Sequence, residues 1–143
     1  MEIMFRIILL IMICVACNQS VPPVKVTNLK CEYKSNPLGV DIQKPRFGWI
    51  SESEQRGVTQ AAYQILVSST LQNLTDNKPD LWDSQKVASD KSGQIAYEGK
   101  ALESNRKYFW KVRIWDQNGG IHVSEPTFWT TGLLHDEIGR AHV

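Results

Sequence analysis

The chain of 143 residues has little of what most catalytic and metal-binding sites need. It contains three cysteines and three histidines, too scattered for a zinc site or for the Ser-His-Asp and Cys-His arrangements of nucleophilic enzymes. It also lacks a glycine-rich phosphate loop and any basic run, which argues against nucleotide and nucleic-acid binding. We therefore expect no catalytic residue, no metal site, no cofactor and no nucleic-acid partner.

Long hydrophobic runs are absent as well. The longest, residues 7–16, is too short to cross a bilayer and has the usual length of a signal-peptide core. It ends at Cys17 in a pattern that resembles a bacterial lipobox, where cleavage leaves the cysteine as the lipid-bearing N-terminus. The sequence therefore predicts a lipoprotein signal peptide at 1–16 and a lipidated Cys17 with its linker over 17–23. The protein would be exported and membrane-anchored, in the periplasm or at the cell surface; an ordinary secretory signal or an uncleaved anchor is the alternative.

The remaining cysteine has no disulfide partner in the mature chain. Cys14 would leave with the signal peptide and Cys17 would carry lipid, so Cys31 stands alone. We predict that Cys31 is a small buried hydrophobic residue in the first strand.

The C-terminal residues 135–143 carry no strand or helix pattern. Residues 137–143 correspond to the translation of a common sequencing adapter, so we interpret this end as truncated and expect the parent chain to continue. His135 and His142 then carry no functional meaning, and His122 is expected to be structural or solvent-exposed.

Short stretches of alternating polar and apolar residues dominate the rest of the chain, which is typical of β-strands. They lie at 24–33, 46–51, 61–69, 81–84, 94–97, 107–116 and 122–130, with a possible helical turn at 70–76 that points Leu71 and Leu74 inward. The pattern predicts an all-β, fibronectin III/immunoglobulin-like two-sheet sandwich of about seven strands over 24–134. A small barrel is the alternative. We expect the sheet edge around Pro126 to need cover from a following domain.

Tryptophans offer the only candidate ligand platform. Trp110 shares the apolar face of its strand and is predicted to be core, as are Trp49 and Trp82. Trp115 is followed by the polar Asp116 and Trp129 by the polar Thr130; they could be exposed and stack on a sugar, pack against a following domain, or join the core. These two are our candidates for sugar binding.

The acidic residues do not predict a catalytic pair. A glycosidase needs two carboxylates on either side of one sugar bond. Those of this chain lie near turns and strand ends, as solvated charges do: Asp80, Asp83, Asp90, Glu98, Glu103, Asp116 and Glu125.

Several motifs in order, at matching spacing, carry a family resemblance. They are NPLGVD at 36–41, KPRFGW at 44–49, QAAYQILV at 60–67, DLWDS at 80–84 and YFWKVRIWD at 108–116. Over residues 25–134 the chain resembles the opening of bacterial α-L-rhamnosidases. The resemblance implies a fibronectin III-like N-terminal module, followed in such enzymes by a sugar-handling β-sandwich, a catalytic (α/α)6 barrel and a C-terminal β domain. There, two barrel carboxylates release terminal L-rhamnose with inversion.

None of the family's catalytic residues falls in this chain. The resemblance therefore implies a non-catalytic module whose partners are the missing C-terminal domains, the membrane through its anchor, and a rhamnose-containing glycan through the parent enzyme. The alternatives are a stand-alone surface sandwich that binds glycan or a protein, and a module from another polysaccharide-degrading enzyme.

Overall fold

A computed structural model describes residues 23–134. The predicted signal peptide at 1–16, the lipidation site Cys17 and the segment 135–143 lie outside the described residues. No helix within 23–134 has the length and apolar character needed to cross a membrane.

Strands make up nearly all of the regular structure. In chain order the elements are β1 (Lys25–Cys31), β2 (Arg46–Glu52), β3 (Gln60–Ser68), α1 (Leu71–Thr75), β4 (Trp82–Asp83), β5 (Ile95–Ala96), β6 (Lys107–Asp116), β7 (Ile121–Val123) and β8 (Thr127–Thr130).

The strands form two antiparallel sheets. One has three strands in the order β1-β2-β5; the other runs β4-β3-β6, and β7 and β8 both pair with the far side of β6. The long strand β6 therefore holds together most of the larger sheet. This arrangement confirms the predicted all-β, two-sheet, immunoglobulin-like sandwich.

Alternation along β6 explains how the larger sheet meets the core. Tyr108, Trp110, Val112 and Ile114 are all buried, as predicted for one face of a strand. Lys111 points to the opposite face and is nevertheless 8% exposed, because α1 and the turn after it cover this end of the sheet. Its ammonium donates a 2.7 Å hydrogen bond to the side chain of Asn77, and burial lowers the pKa of Lys111.

The core lies between the sheets and is rich in aromatic rings. Phe47 of β2 packs against Trp110 and Trp129 of the opposite sheet, with ring centroids 4.5 and 5.4 Å apart. Cys31 is 1% exposed in β1, which confirms its prediction as a buried hydrophobic residue. Such ring pairs contribute beyond the area that they bury.

The helical turn forms as predicted, with one difference. The hydroxyl of Thr70 accepts a hydrogen bond from the backbone N–H of Asn73 and caps α1. Leu74 is fully buried, but Leu71 is 46% exposed, so the prediction that Leu71 points inward was wrong. A helix of five residues makes little more than one turn and buries only one of the two leucines.

The edge of the sheet after Pro126 is partly covered by the chain itself. Residues 37–40 run alongside β8: Thr130 N–H donates to Pro37 O at 3.0 Å, and Val40 N–H donates to Thr130 O at 2.9 Å. A segment remote in sequence thus satisfies the outward backbone groups of Thr130 in β8, and the expectation that a following domain covers the rest of this edge stays a prediction.

Candidate functional site

Two carboxylates, those of Asp80 and Glu32, have structural partners that favour their ionised form. Asp80 accepts hydrogen bonds from the Ser68 hydroxyl at 2.6 Å and from the Ser69 backbone N–H at 2.9 Å. Burial alone would raise the pKa of Asp80, but the hydrogen bonds from Ser68 and Ser69 outweigh it and lower the pKa. The hydrogen bond from Arg46 likewise lowers the pKa of Glu32. A general acid needs a raised pKa, so these groups are unsuited to that role.

Asp116 and His122 form the only histidine–carboxylate pair of the described region. His122 Nε2 lies 2.8 Å from Asp116 Oδ2, and Asp116 Oδ1 accepts from the backbone N–H groups of Asn118 and Gly120. These bonds, that of His122 first, lower the pKa of Asp116. The pair fixes the turn between β6 and β7. No group of three or more His, Cys, Asp or Glu within 23–134 could hold a metal ion.

The two tryptophan candidates lie in different environments. Trp129 is 0% exposed and packs its ring on Tyr108, with centroids 5.4 Å apart. Trp129 therefore joins the core, one of the three environments that the sequence left open, because β8 pairs with β6 in a register that turns this side chain inward; it is not an exposed sugar platform. Trp115 is half-buried on the outer face of the same sheet, and the Lys86 ammonium lies 4.7 Å from its ring.

Trp115 belongs to a larger surface, which we call the basic aromatic face. Lys107 lies 5.4 Å from the Phe109 ring and 4.0 Å from the Phe128 ring, so lysines cover aromatic rings at both ends of the face. Between them β7 adds two exposed aliphatic side chains, at 58% and 48%. The face comprises Lys86, Lys107, Phe109, Trp115, Ile121, Val123 and Phe128.

The outer face of the smaller sheet carries a depression of about 390 Å³, which we call the sheet groove. Sequence reasoning missed it. On β2, Phe47 and Trp49 point into the core, whereas Arg46, Gly48 and Ile50 face outward. The groove is lined by Asn28, Lys30, Tyr33, Arg46, Phe47, Gly48, Trp49, Ile50, Ser92, Gly93 and Gln94. The alternation along β2 indicates which of its side chains face outward. Tyr33 and Gln94, however, lie just outside β1 and β5 and not within the strands predicted at 24–33 and 94–97, and no periodicity predicts that they meet at the groove.

Arg46 is held rigidly at one end of this groove. Its Nε and Nη2 donate to the two carboxylate oxygens of Glu32 at 3.2 and 2.9 Å, and its backbone N–H donates to Glu32 Oε1 at 2.7 Å. The guanidinium carbon lies 5.1 Å from the centre of the Tyr33 ring. The arrangement presents a fixed positive charge beside an aromatic ring.

The fold and order of elements agree with a known group of domains. Residues 26–135 match the family described as the Rha78A-like, N-terminal immunoglobulin domain. The chain belongs to this family. It therefore corresponds to the N-terminal immunoglobulin-like module of larger proteins.

Several relatives of this module are α-L-rhamnosidases. The chain is 36% identical over 139 residues to an α-L-rhamnosidase of Formosa agariphila, covering 94% of this chain and 15% of the relative. It is 43% identical over 111 residues to that of Streptomyces avermitilis, covering 77% and 11%. The chain thus spans only 11–15% of the length of these two relatives.

Solved structures show the same module. The crystal structure of the Streptomyces avermitilis α-L-rhamnosidase complexed with L-rhamnose superposes with a TM-score of 0.73 at 42% identity, covering 77% of this chain and 11% of that one. The α-L-rhamnosidase of Dictyoglumus thermophilum superposes with a TM-score of 0.77 at 42% identity, covering 83% and 14%.

Proposed function

We propose that this chain is the leading, non-catalytic module of an exported α-L-rhamnosidase that hydrolyses terminal L-rhamnose from glycosides. The supporting observation is one of coverage: the similarity takes in 94% of this chain but 15% of the relative from Formosa agariphila. Within the module, Glu32, Asp80 and Asp116 are engaged in structural hydrogen bonds. The module would stabilise and position the rest of the enzyme. We also propose that its strands follow the fibronectin III variant of the sandwich.

The basic aromatic face suits contact with a further domain of the same polypeptide. Ile121 and Val123 are 58% and 48% exposed beside the half-buried ring of Trp115, and exposed apolar patches mark interaction surfaces. Without that domain the module should self-associate through this face, and light scattering should show concentration-dependent association. An Ile121→Ser, Val123→Thr variant should weaken it. A clean monomer of the unsubstituted module at high concentration would contradict this role.

Anchoring at the membrane is the second element of the proposal. Cleavage before Cys17 and lipidation of its thiol would hold the module on the outer surface of a membrane, with residues 17–23 as spacer; two or more acyl chains give stable attachment. Metabolic labelling with radioactive palmitate in a bacterial host should label the chain and not the Cys17→Ser variant. The Cys14→Ser variant is the matched control and should still be labelled. Label that persists in Cys17→Ser would refute the assignment.

The test of the enzyme assignment is to resequence the source DNA across the codon for Asp136. A reading frame that continues through hundreds of codons, into a helical barrel with paired acidic residues, supports the α-L-rhamnosidase. A stop codon within a few residues of Asp136 overturns it.

A stand-alone surface module that binds glycan or a protein partner is the second candidate. It is favoured by the aromatic rings of Phe109, Trp115 and Phe128 on one outer face, because such rings stack on sugars and pack in protein interfaces. Binding of L-rhamnose-containing oligosaccharides by the isolated module, lost in Trp115→Ala and retained in Leu38→Ala, would support it.

A further inference from the structure

We propose that the sheet groove binds a saccharide carrying a single carboxylate, such as a uronic acid. The groove lies on the outer face of the three-stranded sheet, and the basic aromatic face lies on the other sheet. Its volume of about 390 Å³ falls in the range of small-ligand sites. The inference does not depend on which enzyme the module belongs to.

The charges around the groove favour one negative charge on the ligand. Arg46 and Lys30 contribute two positive charges, and Glu32 neutralises one of them. The contact with Glu32 uses Nε and Nη2 of Arg46, so Nη1 is left to donate to a ligand oxygen. The Lys30 ammonium has no hydrogen-bond partner within residues 23–134 and lines the same depression.

An aromatic ring and two amides supply the contacts that a sugar ring needs. Tyr33 is 61% exposed, the largest exposed fraction of any aromatic side chain within the described range, and its ring can pack on the C–H face of a sugar. Asn28 and Gln94 are exposed at the groove, and their amides both donate and accept hydrogen bonds. A simple anion would leave these three side chains unused.

The backbone around the groove is held in an unusual conformation. Asn28, Tyr33 and Gln94 have φ angles of 51°, 65° and 56°, in the left-handed region that costs a non-glycine residue free energy. Such conformations persist where the surrounding structure determines them, and they fix the direction of each side chain before a ligand arrives. The groove is therefore preorganised.

Gly48 keeps the centre of the groove open. A Cβ atom at Gly48 would lie 3.3 Å from the backbone oxygen of Ser92 and 3.4 Å from Cα of Gly93. The Trp49 N–H donates a 2.8 Å hydrogen bond to that Ser92 oxygen, which fixes the wall of the groove against β2. A larger residue at position 48 would both fill the depression and move this wall.

The proposal is tested by following the backbone amide signals of the purified ¹⁵N-labelled chain by NMR during titration. Three probes distinguish the contribution of the carboxylate from that of the sugar ring: methyl β-D-glucuronide, its neutral counterpart methyl β-D-glucoside, and acetate. Saturable shifts at Lys30, Gly48 and Gly93 are expected with the glucuronide. Binding of the glucoside, which lacks the carboxylate, should be weaker by about fivefold, the effect of an exposed ion pair. Acetate keeps the carboxylate but lacks the sugar ring, and it should also bind more weakly than the glucuronide.

Two variants and a matched control locate the site. Lys30→Gln and Tyr33→Asn should each weaken glucuronide binding by about fivefold; asparagine tolerates the positive φ at position 33. Lys86→Gln removes an equivalent ammonium from the basic aromatic face and should leave binding unchanged.

Each other outcome overturns the proposal in a distinct way. Equal binding of the glucoside would show that the carboxylate contributes nothing to the affinity. Equal binding of acetate would show that the sugar ring contributes nothing. Shifts centred on Trp115, or full affinity in both groove variants, place the site elsewhere. If none of the three probes gives saturable shifts, the groove is not a saccharide site and is available for packing against another protein domain.

Discussion

The indole of Trp49 in β2 donates a 3.0 Å hydrogen bond to the side-chain oxygen of Gln60 in β3, and so joins the two sheets through one polar pair. The amide nitrogen of Gln60 donates in turn to the backbone oxygens of Ser89 and Lys91, at 3.0 and 2.7 Å. Gln60 therefore holds the two sheets and the segment before β5 in one network, which is worth more than its separate bonds.

Replacing Gln60 by alanine should lower the free energy of unfolding by about 1–3 kcal/mol, because the buried Trp49 N–H loses its partner. Urea denaturation followed by tryptophan fluorescence measures the change. Gln64→Ala is the matched control: its side chain donates to Asp83 in an exposed hydrogen bond and accepts one from Arg113, whose guanidinium is not fully buried. The loss should therefore be below about 1 kcal/mol. An equal loss in both variants would show that the hydrogen bond between the sheets contributes no more to the free energy of unfolding than the bonds of Gln64 do.

Gly99 and Gly93 should respond differently to alanine. A Cβ at Gly99 would lie 2.5 Å from both the Leu81 oxygen and Trp82 Cβ, so Gly99→Ala should cost about 3 kcal/mol through overpacking. Gly93 has nothing within 4 Å of that position, and Gly93→Ala should be nearly neutral. Thermal unfolding followed by circular dichroism compares the two. A Gly99→Ala protein as stable as the parent would mean that the backbone around β4 shifts to accommodate the added methyl group at little cost in free energy.

Acid should weaken the module through Asp80. Its pKa in the folded state lies below the ordinary value of 3.8, so its contribution to stability is fully present above that value and is lost as the pH falls through the folded pKa. Urea unfolding at a series of pH values should show this loss. Asp80→Asn should be less stable at neutral pH and flatter toward acid, whereas the exposed Asp90→Asn should follow the parent. Identical slopes in all three proteins would refute the role of Asp80.

The thiol of Cys31 should be unreactive in the folded protein. Burial raises the pKa of its thiol to about 12, and the thiolate is the reactive form. In a Cys14→Ser, Cys17→Ser background, Ellman's reagent at about pH 8 should label Cys31 only after guanidinium is added. The chain with Cys31→Ser as well gives the blank. Rapid labelling without denaturant would mean that β1 opens readily.

The strands could be predicted because their signals are local. The prediction for β6, residues 107–116, coincides with the strand of the structure, Lys107–Asp116, since four apolar side chains alternate there with polar ones. Such patterns indicate which face of a strand is buried.

Features that depend on pairing between distant segments were not predictable in the same way. Trp129 lies between Phe128 and Thr130 in sequence, so alternation does not decide which face it takes, and only its register opposite Tyr108 shows that it is core. The cover that residues 37–40 give to β8 is also invisible to local patterns, as is the meeting of Tyr33 and Gln94 at the groove. Only tertiary structure brings these groups together.

The placement of β6 has a consequence for when the module can fold. β3 has its main pairing partner only once β6 has been synthesised. β8 in turn pairs with β6, and Thr131, directly after β8, pairs with Val40. A chain still being synthesised therefore cannot complete its larger sheet until almost the whole module has left the ribosome. Folding limited by contacts so distant in sequence is slow, so we expect the larger sheet to form only after synthesis of the module is nearly complete.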